Sequence, residues 1–266
     1  MSSETSVPDC GQCGAKLRAD ARFCARCGTR LPFAAQEIPG HARAEAFTEE
    51  ATPAVDRRQQ LRVVGWLYGL MLMISLCFGF AWNIEPMGDF LTAESVVFAI
   101  LVLAFAVYYR SEIVPLLHPA AFNLDAGRKL AIATAIQFVL LGTVFYLMEK
   151  TGIPFERVTD EMQRHDYTAW QLLVLCSLMP AVFEEIAFRG IIFDRLKQVL
   201  GEKEAWLVTA ALFSVLHLSP VIFPTHFAMG LIFGWLRMRT GSLIPGMILH
   251  AAWNAANIGI ELWQQG

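Results

Sequence analysis

Charge is what this sequence has little of. Only 17% of its 266 residues are Asp, Glu, Lys or Arg, where soluble domains average about 25%. The 21 basic residues are offset by 24 acidic ones, for a net charge of −3. No block of like charges forms a basic arm, so nucleic-acid binding of that kind is excluded. The first 60 residues hold no apolar core of the sort a secretory signal peptide needs. The N-terminus is therefore expected to stay in the cytosol. No HExxH occurs, which removes a common zinc-protease signature. Cysteine is scarce too, six in all, with four of them within residues 10–27. The other two, Cys77 and Cys176, stand alone in apolar stretches and read as small core residues.

What is plentiful is apolar sequence, at 55% of residues, against about 45–50% in soluble domains. From residue 61 onward, long apolar runs alternate with short polar breaks. A membrane helix needs about 20 mostly apolar residues. Stretches near Val63–Trp82, Phe90–Tyr109, Leu130–Met148, Trp170–Phe193, Ala205–Leu218, Val221–Leu236 and Leu243–Trp263 qualify. The fifth and sixth are short and meet at Ser219–Pro220, which predicts a tight hairpin. The expected fold class is an all-α polytopic membrane protein of about seven transmembrane helices, preceded by a small zinc-ribbon module. Residues 1–33 form the ribbon, residues 34–60 a flexible linker rich in Ala, Glu and Pro, and residues 61–266 the membrane domain.

Lys and Arg placement sets the expected orientation. Arg57, Arg58 and Arg62 precede the first span. Arg110, Arg128 and Lys129 flank the second loop. Arg195, Lys197 and Lys203 follow the fourth span, and Arg237 and Arg239 follow the sixth. Residues 83–89 carry no basic group, and residues 149–168 carry three against five acids. This predicts a multi-pass protein of the cell inner (plasma) membrane, with a cytoplasmic N-terminus and membrane lipid as its surroundings.

The N-terminal motif is Cys10-Gly-Gln-Cys13, ten residues that begin with Gly14, then Cys24-Ala-Arg-Cys27-Gly. Each CxxC turn can offer two thiolates, and two such turns complete a tetrahedron around one metal. Gly14 and Gly28 follow the knuckles, where a backbone without Cβ turns tightly. Two disulfides are the rival reading, which a reducing cytosol disfavours. Cys10, Cys13, Cys24 and Cys27 are thus the candidate ligands of a structural zinc. The segment resembles zinc ribbons attached to many prokaryotic membrane proteins. A cytosolic partner of the ribbon is possible, and its sequence names none.

Ionisable groups inside membrane helices are costly and usually functional. The fourth span holds Glu184, Glu185 and Arg189. Glu185 and Arg189 are one helical turn apart and can pair, while Glu184, rotated by about 100°, can face another neighbour. The fifth span ends in Phe213-x-x-x-His217. The seventh carries His250 and Asn254, again one turn apart. A base, a second imidazole and hydrogen-bond donors are the parts an acyl-transfer hydrolase needs. His226 reads as a helix-end residue at the interface, and Glu94 as a structural acid near headgroup water. His118 and His165 lie in loops and carry no assigned role.

Taken in order, Glu184-Glu185-x-x-x-Arg189, Phe213-x-x-x-His217, Phe227-x-x-Gly230 and His250-x-x-x-Asn254 resemble the CPBP family of CAAX prenyl endopeptidases and bacteriocin-processing or Abi proteins. The resemblance spans roughly residues 165–260. It implies an intramembrane glutamate-dependent endopeptidase acting on a membrane-associated peptide or protein, without a catalytic cofactor. By motif position Glu184 is then the general base and His217 holds the attacking water. His250 and Asn254 stabilise the oxyanion, and Glu185 and Arg189 support the site. Two alternatives stay open. Glu184, His217 and His250 could ligate a catalytic zinc, or the helices could form a non-catalytic binding or immunity scaffold.

Overall fold

The computed structural model describes residues 9–10, 13–16, 56–84, 89–118, 124–152, 159 and 166–264. The chain divides into two compact units, Met1–Ala54 and Val55–Gly266. Cys24, Cys27, His165 and the expected linker as far as residue 55 lie outside the described residues.

In the first unit the described residues form a tight knuckle. Asp9 and Lys16 pair as an antiparallel bridge. The Cys10 N–H donates to the Ala15 carbonyl at 2.8 Å, and the Gly14 N–H to the Cys10 carbonyl at 2.8 Å. Gly14 takes φ +67° at the turn, and Cys10 is buried.

In the second unit, α1 (Arg57–Ile84) and α2 (Asp89–Tyr108) come first. A short α3 (Arg110–Ile113) continues into a 3-10 turn at Val114–Leu117. Then come α4 (Leu124–Thr151), α5 (Ala169–Leu200), α6 (Glu202–Leu216), α7 (Phe223–Thr240) and α8 (Ile244–Trp263). Seven of these are long, in the order and number the apolar runs predict. Four, α1, α2, α4 and α5, are long and apolar enough to cross a membrane. At 15 residues α6 spans about 22 Å, short of the roughly 30 Å of a hydrocarbon core.

The first helix starts before the apolar run, at Arg57 rather than Val63. Asp56 explains this: its Oδ1 accepts from the N–H groups of Arg58 at 3.0 Å and Gln59 at 3.2 Å, an N-cap that satisfies orphan donors. Residues 57–60, expected in the linker, are therefore helical. The fourth span is longer than its apolar run and reaches Leu200, where Gly201 at φ +96° stops it. Pro224 and Pro245 sit in the first turns of α7 and α8, where a missing N–H costs nothing.

Large apolar side chains line the outside of α1, α2 and α4, including Trp66, Phe80, Ile100 and Val139. That is the outer surface of a bundle whose solvent is lipid. The buried centre is aromatic and aliphatic, built from Leu67, Met71, Phe188, Phe213, Phe233 and Leu249. Side-chain hydrogen bonds tie neighbours together. Tyr68 Oη donates to Leu212 O at 3.1 Å, Trp206 Nε1 to Leu231 O at 2.9 Å, and Ser177 Oγ to Ala251 O at 2.8 Å.

One end of the bundle gathers the charges. Arg195 donates to Glu112 at 2.6 Å and to Gln60 at 3.1 Å, and its guanidinium lies 4.4 Å from the Tyr109 ring centroid. Arg237 pairs with Asp194 at 3.1 Å, and Lys129 donates to Arg239 O at 3.1 Å. The start of α1, the start of α4 and the ends of α5 and α7 thus share one basic end, as the positive-residue pattern requires.

Candidate active site

The site is organised by α5, which departs from α geometry twice, winding as π turns at Leu173–Leu178 and Ile186–Ile192. Such wide turns are rare and concentrate at functional positions. The second begins directly after Glu185, includes Arg189, and is buried at every residue.

Glu185 and Arg189 are each about 1% exposed, and Arg189 Nη1 donates to Glu185 Oε1 at 2.8 Å. The guanidinium also donates through Nη2 to Gly230 O at 3.2 Å. It lies 4.5 Å from the Phe213 ring centroid and 5.2 Å from that of Phe233. A buried charge survives when it is paired and its remaining protons find acceptors; aromatic faces add to that. Gly230 makes this possible, because a Cβ there would stand 2.9 Å from Ala210 Cα. Only a glycine lets α6 and α7 approach so closely. Gly246 does the same for α8, since its Cβ would lie 2.9 Å from Glu185 Oε2.

His250 enters from α8 and is 2% exposed. Its Nδ1 lies 3.4 Å from Glu185 Oε1, and its Nε2 lies 3.9 Å from Glu184 Oε2. The ring is stacked on Phe233, with centroids 4.9 Å apart and planes 24° apart. Glu184 Oε2 is buried and has no hydrogen-bond partner in the protein; the same holds for His250 Nδ1 and Arg189 Nε. Buried polar atoms are nearly always partnered, so three exceptions in one cluster mark it out. Asn254 follows His250 by one turn of α8 and is half-buried.

Glu184, Glu185, Arg189 and His250 are thus brought together directly. His217 joins them through Phe213, whose ring centroid is 5.1 Å from His217, 5.9 Å from His250 and 5.3 Å from Phe188. His217 ends α6, and its Nδ1 lies 2.9 Å from Phe213 O. A carbonyl only accepts, so Nδ1 carries the proton and Nε2 is left as the acceptor. The next residue, Leu218, takes φ +53°, a left-handed conformation unusual for leucine.

Two residues belong here that sequence patterns did not select. His226, read as an interfacial helix end, packs its ring on His217 with centroids 4.0 Å apart, and its Nδ1 lies 3.0 Å from Ile222 O. Its position nine residues after His217, across the hairpin, was the available signal. Glu94 on α2 is half-buried and within electrostatic reach of Glu184. No group of three or more His, Cys, Asp or Glu side chains among the described residues converges so as to hold a metal ion.

The second unit is a helical bundle with helices long and apolar enough to cross a membrane, and within it the Glu184 carboxylate faces the His250 imidazole. Comparison with family models adds what the chain is similar to. Residues 166–256 match the family model described as type II CAAX prenyl endopeptidase Rce1-like, and residues 10–31 match that of the zinc-ribbon domain. These are the families that the motifs resemble, and at family level the first is a family of membrane endopeptidases. No curated protein and no solved structure gives a significant match. The zinc-ribbon match supports a structural zinc. The Cys10–Ala15 knuckle fits one half of such a site, with one buried thiol and Cys13 packed against it.

Proposed function

We propose that the chain is an intramembrane endopeptidase that cleaves a membrane-associated peptide or protein with a water activated by Glu184. The observation that carries this is the unpartnered, buried Glu184 Oε2 facing His250 Nε2 at 3.9 Å. That separation is too long for a hydrogen bond and leaves both atoms available to reacting groups.

In this reading Glu184 takes a proton from water while the water oxygen bonds to the scissile carbonyl carbon. The carbonyl electrons move to oxygen, and the oxyanion accepts hydrogen bonds from His250 and Asn254. Such donors are worth about 3 kcal/mol in a dry site. The C–N bond then breaks, and the leaving amine receives the proton from the Glu184 carboxyl. His217, with Nε2 free to accept, holds the water. Glu185 and Arg189 do no chemistry; they fix the turn that aims Glu184 and the ring of His250. The products are a new carboxyl terminus and a new amine.

The charged end of the bundle, rich in Arg and Lys, faces the cytoplasm in this account, in the plasma membrane. The ribbon holds zinc through Cys10, Cys13, Cys24 and Cys27. When bound, the metal supplies folding stability to a four-cysteine module and no open coordination position.

The test is a comparison of membrane-protein termini in cells carrying wild-type chain or Glu184→Gln. A set of new N-termini present only with wild type supports the reading. Identical termini, with both proteins folded and equally abundant, would favour a scaffold role.

A further inference from the structure

Gln137 lies in the middle of α4, fully buried, and neither its Nε2 nor its Oε1 has a hydrogen-bond partner. No other side chain among the described residues has two such buried, unpartnered polar atoms. Ala133 and Leu141, one turn to either side, are buried as well. The three positions define the inward stripe of α4, while Ile132, Ile136, Phe138 and Val139 on its other faces are exposed. The inward stripe packs on α7 and α8, the helices that carry Gly230 and His250.

The depth of Gln137 follows from register. Lys129 Nζ reaches Arg239 O at the end of α7, so α4 and α7 run antiparallel from the basic end. Gln137 lies two turns further in, about 12 Å by helical rise. Counting back two turns along α7 from Arg239 arrives near Gly230, whose carbonyl receives Arg189. On α8, which sets out from the same end, a similar rise arrives near His250. Gln137 therefore stands at the depth of the carboxylate–imidazole cluster.

An amide left unpaired in hydrocarbon is costly. It offers one acceptor and two donors, which is the complement of a peptide group. A substrate that is to be cut inside a membrane must leave its helix locally, and each backbone N–H and C=O so released needs a partner, because lipid supplies none. From these facts we infer that Gln137 is a substrate-binding residue that pairs with a backbone peptide group of the unwound substrate. The inference rests on the endopeptidase reading and adds to it a contact.

The experiment compares full-length wild type, Gln137→Leu and Glu184→Gln, with Gln137→Met as a second variant should Leu fail to fold. Two readouts are taken: the melting temperature in detergent, and the yield of the new membrane-protein N-termini in cells. If Gln137 serves the substrate, its removal relieves an unmet polar group. The melting temperature then holds or rises by about 2–4 °C, while the new N-termini fall at least about fivefold. If Gln137 is glue between helices, the melting temperature falls in both Gln137 variants, and the inference is overturned. It is also overturned if Glu184→Gln removes the new termini and the Gln137 variants do not. If Glu184→Gln leaves the termini in place, the endopeptidase reading fails, and the peptide fails with it as the occupant of this site.

Discussion

Two groups of charged residues in this bundle can be set side by side. At the basic end, Arg195 meets Glu112, Arg237 meets Asp194, and Lys197 meets Glu202. Those acids are part-exposed, and each charged head has an opposite charge. In the middle, Glu185 and Arg189 are paired as well, but Glu184 Oε2, His250 Nδ1, Arg189 Nε and both polar atoms of Gln137 are buried without a hydrogen-bond partner, whereas among the paired groups at the basic end only Arg195 Nε is so placed. Exposed pairs add little to stability. An unmet buried polar group subtracts about 1–3 kcal/mol. The end network holds helices in register at low cost, whereas the middle keeps groups that a stable fold alone would replace with leucine. The proposed chemistry is placed in the middle because of that difference.

The largest effect that can break this comparison is on cleavage. Glu184→Gln is expected to lower it by about 10²–10⁴, the range for a general base, with little change in melting temperature. Loss of folding in this variant would instead make Glu184 a structural residue. The largest effect on stability is expected one turn away. Arg189→Met leaves Glu185 buried and unpaired, at a cost of about 3–5 kcal/mol, read from thermal unfolding of the purified protein. His226→Ala comes next. It removes the ring packed on His217 and should lower cleavage about tenfold, whereas His226→Phe, which keeps a ring there, should retain most activity. Such contacts are worth about 0.5–1.5 kcal/mol. The smallest effect lies at the basic end. Lys197 holds the Glu202 carboxyl below the usual carboxylate range through its hydrogen bond. A depressed carboxyl stabilises the fold at neutral pH, and that gain fades as pH falls through the carboxylate range. Lys197→Ala should remove the pH dependence, leave cleavage unchanged and shift unfolding only slightly, because both groups are half-exposed.

Local spacing made much of this legible. The Glu185–Arg189 pair follows from helical period alone, and the apolar runs gave the long helices in order. What was hidden depended on neighbours distant in sequence or on polar groups without charge. Arg57–Gln60 looked like linker because it is polar, yet Asp56 caps a helix there that begins ahead of the apolar run. His226 looked like an end residue because only the hairpin brings it onto His217. Gln137 was passed over because a neutral amide interrupts an apolar run less visibly than an acid does. The π turn after Glu185 has no sequence signature; it shows itself only in the backbone, where the Phe193 N–H donates to the Phe188 carbonyl five residues back.

The most direct test of the central claim is a count of new membrane-protein N-termini in cells that carry wild-type chain, against cells that carry Glu184→Gln at equal abundance. The account predicts a defined set of termini with the wild type and their disappearance with the variant. Termini that persist unchanged with Glu184→Gln would contradict it.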